Sequence, residues 1–204
     1  MLGVDHGGIR KVLMDYIQGN EINGPLNKFL HVYLDSRQIK TIGIGFNLER
    51  SGARRVITRL GRDYDKILSG QEDLTEDEAR ALFAPDVDDA IDGARRLVSN
   101  FSQLDAARQI VIVDMVFNMG AGGFAQFRQL IAALEKSDFA TAADEMQFSG
   151  PPGQRRSSAW FSQVKSRGVR DVEAMRTGAL PAQFQRNRSG GELRFGVPHA
   201  KRSA

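Results

Sequence analysis

The run ARQIVIVDMVFNM, residues 107–119, is apolar on nearly every side of a helix. A helix without a polar face has to be enclosed by other elements. Ser102 and Asp105 mark its start, and Gly120, Gly122 and Gly123 break the chain after it. Helical patterns resume over 124–135, 138–148 and 159–176, enough to wrap a central helix. Between the last two, GPPGQRRSS reads as a loop from its Pro, Gly and Ser content. Asp114 lies inside the apolar run, so it is expected either as a satisfied buried carboxylate or facing a cleft. Trp160, the single tryptophan, reads as core.

The N-terminal part has a different texture. Ile9, Val12, Leu13, Tyr16 and Ile17 recur at helical intervals over 8–20, with Gly19 and Asn20 as stop signals. The turn-rich INGPLNKF follows, then two strand-like runs, 29–34 and 39–46. Ser51 is placed to cap a short helix over 52–60. LTEDEARALF opens with a capping box, Thr75 and Glu78, and predicts a helix towards Val98 that Pro85 should kink or restart. The expected class is α+β and mostly helical. The expected organisation is a small lobe over about 1–74, a connecting helix over about 75–98, a helical lobe over about 99–180 and a basic tail at 181–204.

Charge excludes little. The net charge is +3, but residues 181–204 carry five basic residues and one acid, so the rest of the chain is close to neutral. Such a tail can touch an anionic polymer, although a solvated end is the plainer reading. Cysteine is absent, which removes disulfides and thiolate chemistry. No apolar run is long enough for a transmembrane helix, and the N-terminus lacks a signal pattern. The three histidines show no metal spacing, and the acidic PDVDDAID lacks the alternating ligands of a calcium loop, so it reads as a solvated helix face.

The hairpin YLDSRQIKTIGIGFNLE, 33–49, carries the candidate chemistry. With a turn centred near Gln38, Asp35 and Thr41 oppose each other on one face. A carboxylate and a hydroxyl so placed can hold a water for general base catalysis. Gly43 and Gly45 remove side chains beside them. Asp also starts turns and Thr favours strands, so the pair alone equally describes a plain hairpin. Glycoside hydrolysis needs a second, protonated carboxyl. Glu21 is the best placed, Asp15 and Glu49 being poorer rivals.

VYLDSRQIKTIGIGFNLE resembles the signature of the phage-type lysozymes, the T-even phage family or glycoside hydrolase family 24. LTEDEARALFAPDVDDAI, DMVFNMGAGGFAQF and AWFSQVKSRGVRDVEAMRTG are similar to successive segments of that family, so the resemblance covers about residues 8–178. It implies a two-lobed lysozyme fold and hydrolysis of the N-acetylmuramic acid to N-acetylglucosamine bond of peptidoglycan. By position it implies Asp35 and Thr41 as the catalytic aspartate and threonine, Glu21 as general acid, and Arg167 as an arginine pairing with that acid. Phe117 and Asn118, where the buried helix emerges, are candidates to line a substrate cleft.

Three departures from the family are visible. Glu21 lies further before Asp35 than the family's acid does, with INGPLNKF between, which implies an insertion. Phe46 stands where the family commonly has His after the Gly-Ile-Gly run. The loop before Trp160 is lengthened. The expectations that follow are an inverting muramidase acting on glycan strands with no metal or organic cofactor, no specific nucleic-acid partner, and a monomeric state. Lacking a signal, it would reach the wall through a holin, a virion or an effector-type system. The alternatives are a lysozyme-fold module that binds wall or serves a virion role without turnover, or a nucleic-acid protein acting through its tail.

Overall fold

The structure is a computed structural model describing residues 6–35, 37–151 and 153–185. It is α+β and mostly helical, as expected, with one three-stranded antiparallel sheet and one two-stranded hairpin among the described residues. The chain divides into two compact units, residues 17–88 and residues 1–16 with 89–204. The basic residues of the tail lie outside the described residues. No single helix among those described is long and apolar enough to cross a membrane.

In the unit 17–88, helix α1 (His6–Glu21) ends and a 3-10 turn, Leu26–Phe29, follows. Ile22 and Leu26 are buried and anchor this connection. The sheet is β1 (Tyr33–Leu34), β2 (Lys40–Ile42) and β3 (Phe46–Asn47), in that order. These strands are shorter than the runs 29–34 and 39–46. Residues 26–29 wind into the 3-10 turn, and Gly43 (φ 61°) and Gly45 (φ 76°) end β2 in left-handed backbone. Gly43 does not leave space: a Cβ there would stand 3.1 Å from the Ala79 Cβ.

Helix α2 (Ala53–Arg59) starts from Gly52 in left-handed backbone with no side-chain cap, so Ser51 does not play the expected part. Helix α3 (Tyr64–Ser69), unforeseen, starts at Asp63, whose carboxylate accepts the N–H groups of Asp65 and Lys66. Helix α4 (Glu76–Leu97) opens with the expected capping box: Thr75 N–H donates to Glu78 at 2.8 Å, and Glu78 N–H donates to Thr75 Oγ1 at 3.2 Å. It runs through Pro85 without restarting. Ile42, Ile44, Phe46, Leu48, Ile57, Ile67 and Phe83 form this unit's core. The buried Phe46 ring lies 4.2 Å under the Arg50 guanidinium.

In the other unit, helix α5 (Ala106–Phe124) is buried as its composition predicts: Ile110 to Val116 are all at most 3% exposed. Each Ile, Val and Met side chain among them contributes about 1.5–3 kcal/mol of burial. Asp105 caps α5 by accepting Arg108 N–H, and Gly120 (φ 75°, ψ 160°) breaks it in backbone that suits only glycine. Helices α6 (Arg128–Glu135), α7 (Phe139–Gln147), α8 (Ala159–Val164), α9 (Ser166–Thr177) and α10 (Ala182–Gln185) follow. Helix α9 packs on α5 and α7. The pattern over 159–176 is two helices rather than one, because Lys165 adopts φ 51° between them. The expected loop holds a hairpin, β4 (Phe148–Ser149) with β5 (Arg156–Ser157). Trp160 is core, 5% exposed, against Phe127.

Candidate functional site

Asp35 and Thr41 are not direct partners. The register pairs Tyr33 with Thr41 and Leu34 with Lys40, which centres the turn at Arg37 rather than Gln38. Asp35 therefore faces Ile39: its N–H donates to the Ile39 carbonyl at 3.0 Å, while Gln38 N–H donates to the Asp35 carbonyl at 2.9 Å. Gln38, at φ 63°, supplies the left-handed residue that closes such a turn. By strand alternation Tyr33, Asp35, Ile39 and Thr41 still share one face, with Thr41 diagonal to Asp35.

The Asp35 side chain is one-quarter exposed. Its Oδ1 accepts the N–H of Arg37 at 2.8 Å and of Ile39 at 2.9 Å, and Arg37 Nε stands 3.8 Å from Oδ2. The Ile39 N–H foremost, then the N–H and charge of Arg37, hold the carboxyl below its usual range. Asp35 is thus an ionised group with one oxygen committed to the turn. Thr41 is 3% exposed, and its hydroxyl donates to the Ile39 carbonyl at 3.1 Å. The free capacity of Thr41 Oγ1 is therefore as an acceptor.

Glu21 is the exposed last residue of α1. It belongs to the same unit as Asp35 and Thr41. The charges of Asp35 and Glu21 both act on the Tyr33 phenol. Of the poorer rivals, Glu49 accepts the Lys40 N–H at 3.2 Å and Asp15 pairs with Lys11 at 2.7 Å on an exposed face.

Phe117, Asn118 and Arg167 belong to the other unit. Phe117 and Asn118 are half-buried at the end of α5, just before the Gly120 break. Arg167 on α9 grips Asp114 with two bonds, Nε to Oδ2 at 2.7 Å and Nη2 to Oδ1 at 2.9 Å, both side chains being buried. Asp114 is therefore a satisfied buried carboxylate. Beside it lies Asp171, fully buried, accepting the Tyr16 hydroxyl at 2.6 Å. Burial first, then the charge of Asp114, raises the Asp171 carboxyl well above its usual range. Sequence reading missed Asp171. Its one available signal was an acid four residues after Arg167 on the same helix.

The family model described as phage lysozyme matches residues 28–156. Asp35 and Thr41 fall inside that match, whereas Glu21 and Arg167 fall outside it. The chain is 28% identical over 161 residues to "Probable T4-type lysozyme 1" of Dictyostelium discoideum, covering 75% of this chain and 89% of that one. It is 25% identical over 159 residues to "Probable T4-type lysozyme 2" of the same organism, covering 74% and 88%. It is also 27% identical over 158 residues to the "Pre-baseplate central spike protein Gp5" of Enterobacteria phage T4, a stretch that is 74% of this chain and 26% of the spike protein.

Proposed function

We propose, since this chain belongs to the phage lysozyme family, that it is an active muramidase cleaving the β-1,4 bond from N-acetylmuramic acid to N-acetylglucosamine in peptidoglycan with inversion. The observation that carries the reading is the state of Asp35, an ionised and partly exposed carboxylate fixed by backbone N–H groups on the face that Thr41 shares. A water that donates one proton to Asp35 and one to the acceptor side of Thr41 turns its own lone pairs outward, towards an anomeric carbon. Water oxygen bonds to that carbon as the glycosidic C–O bond breaks. The water proton passes to Asp35, and Glu21 gives its proton to the departing oxygen. Two carboxyls and water suffice, so no cofactor is invoked. Phe117 and Asn118 are proposed to contact the glycan, whereas Arg167, expected at the substrate, is instead buried against Asp114.

The test is product stereochemistry and one substitution. Proton NMR of a freshly cleaved glycan fragment is expected to show the inverted anomer first. Glu21→Gln is expected to abolish release of reducing ends from purified walls. Retained configuration, or full activity of Glu21→Gln, would overturn the assignment.

A second reading draws on the match to a phage spike protein: the domain travels with a virion and opens the wall on entry. Delivery by a holin or an effector system are the other routes by which it would reach the wall. Proteomics of purified particles, compared with the lysed host, separates them.

A further inference from the structure

We propose that Tyr33 is a sugar-contacting residue of this site, its ring being the surface on which the pyranose between Glu21 and Asp35 rests. The proposal builds on the muramidase reading. Tyr33 is the direct cross-strand partner of Thr41 and shares the face of Asp35 by strand alternation. Its ring is half-buried and is fixed at two points. The ring meets Phe29 edge to face, with centroids 5.3 Å apart, and the hydroxyl donates to the Gly43 carbonyl at 3.2 Å. Gly43 is itself bonded in place, its N–H donating to the Phe29 carbonyl at 2.7 Å, and an added Cβ there would stand 3.1 Å from the Ala79 Cβ.

Burial first, then the charges of Asp35 and Glu21, push the phenol above its usual range. The phenol therefore stays protonated. With its proton given to Gly43, it is neither a nucleophile nor a base. What it offers is a rigid aromatic face beside the water-holding pair. A pyranose presents C–H groups on its faces, and an aromatic ring held at fixed orientation suits them at low ordering cost. Gly45, next along this turn, has open space around it, which leaves that side of the turn uncluttered.

The test separates ring from hydroxyl and binding from turnover. Glu21→Gln is titrated calorimetrically with a soluble tetrasaccharide of alternating N-acetylglucosamine and N-acetylmuramic acid. In that background Tyr33→Phe keeps the ring and its contact with Phe29, while Tyr33→Leu removes the aromatic face. Affinity is expected to fall about tenfold for Tyr33→Leu and less than about threefold for Tyr33→Phe, the difference being that of one aromatic contact. Circular dichroism and thermal unfolding monitor the fold, and Tyr33→Met serves in place of Tyr33→Leu should the latter fail to fold. Equal losses for Phe and Leu, or unchanged affinity for a folded Leu or Met variant, would overturn the proposal. A fully active Glu21→Gln would sink the acid assignment alone, the binding comparison then being run in an Asp35→Asn background. Failure of Glu21→Gln to bind the tetrasaccharide would sink both.

Discussion

Asp35 and Ile39 are bonded in both directions across the turn: Asp35 N–H donates to the Ile39 carbonyl at 3.0 Å, and Ile39 N–H donates to Asp35 Oδ1 at 2.9 Å. The second bond does two things. It closes the hairpin, and it holds the carboxyl ionised at pH values where an ordinary aspartate takes up a proton.

Replacing Asp35 separates these effects. Asparagine retains an oxygen able to accept from Arg37 and Ile39, but has no charge for an attacking water. Asp35→Asn is expected to lower turnover of purified walls about 10²–10⁴-fold with little change in thermal midpoint. Asp35→Ala should lose as much activity and also lower the midpoint, which differential scanning fluorimetry would detect.

Glu78 sets an acid limit on stability. Bonding to Arg62 foremost, with the Thr75 cap, brings its carboxyl down to about 2 from 4.5. A depressed carboxyl contributes stability that is fully present above its unfolded value and is lost as pH falls through the folded one. Urea midpoints should therefore drop between pH 4.5 and about 2. Glu78→Gln should flatten that part of the profile and start from a lower midpoint at neutral pH.

Asp171 works in the opposite sense. Its carboxyl is raised, so stability declines as pH rises from the ordinary carboxylate range towards the folded value. Asp171→Asn keeps an acceptor for the Tyr16 hydroxyl. It is expected to raise the denaturation midpoint at pH 7 and reduce the decline. Tyr16→Phe instead leaves the buried Asp171 Oδ1 without its donor and should cost about 1–3 kcal/mol in urea titrations.

The two turn glycines are expected to differ. Gly45→Ala adds a side chain in left-handed backbone with nothing within 4 Å, a cost of about 1–2 kcal/mol. Gly43→Ala meets the same backbone penalty and also drives a methyl against Ala79, so about 2–4 kcal/mol is expected. Equal urea midpoints for the two variants would contradict the packing argument.

The elements that could be read from sequence are those specified by local chemistry or by an unbroken pattern. Helix α5 announces itself because no polar face exists along 110–116, and the Thr75–Glu78 box because both partners sit within one turn. The turn centre differs by one residue and the pairing by two, Asp35 facing Ile39 rather than Thr41, because the left-handed position falls on Gln38, a residue type that carries no such signal. Lys165 hid the break between α8 and α9 for the same reason. The hairpin at 148–157 has strands too short to show alternation. Asp171 was not legible, since its partner Tyr16 lies 155 residues away in the chain. At the candidate site, the residue types were legible at Asp35 and Thr41, but the exchange of partners that sets Tyr33 against Thr41 required the register itself.

One oxygen of Asp35 belongs to the architecture of the turn, and this bears on how the protein would age in evolution. A descendant released from selection for turnover would still be penalised for most replacements at this position, because the hairpin would lose its closure along with the chemistry. Decay should therefore pass first through asparagine, leaving inactive copies that fold as well as their parent and differ from it at that position by one amide.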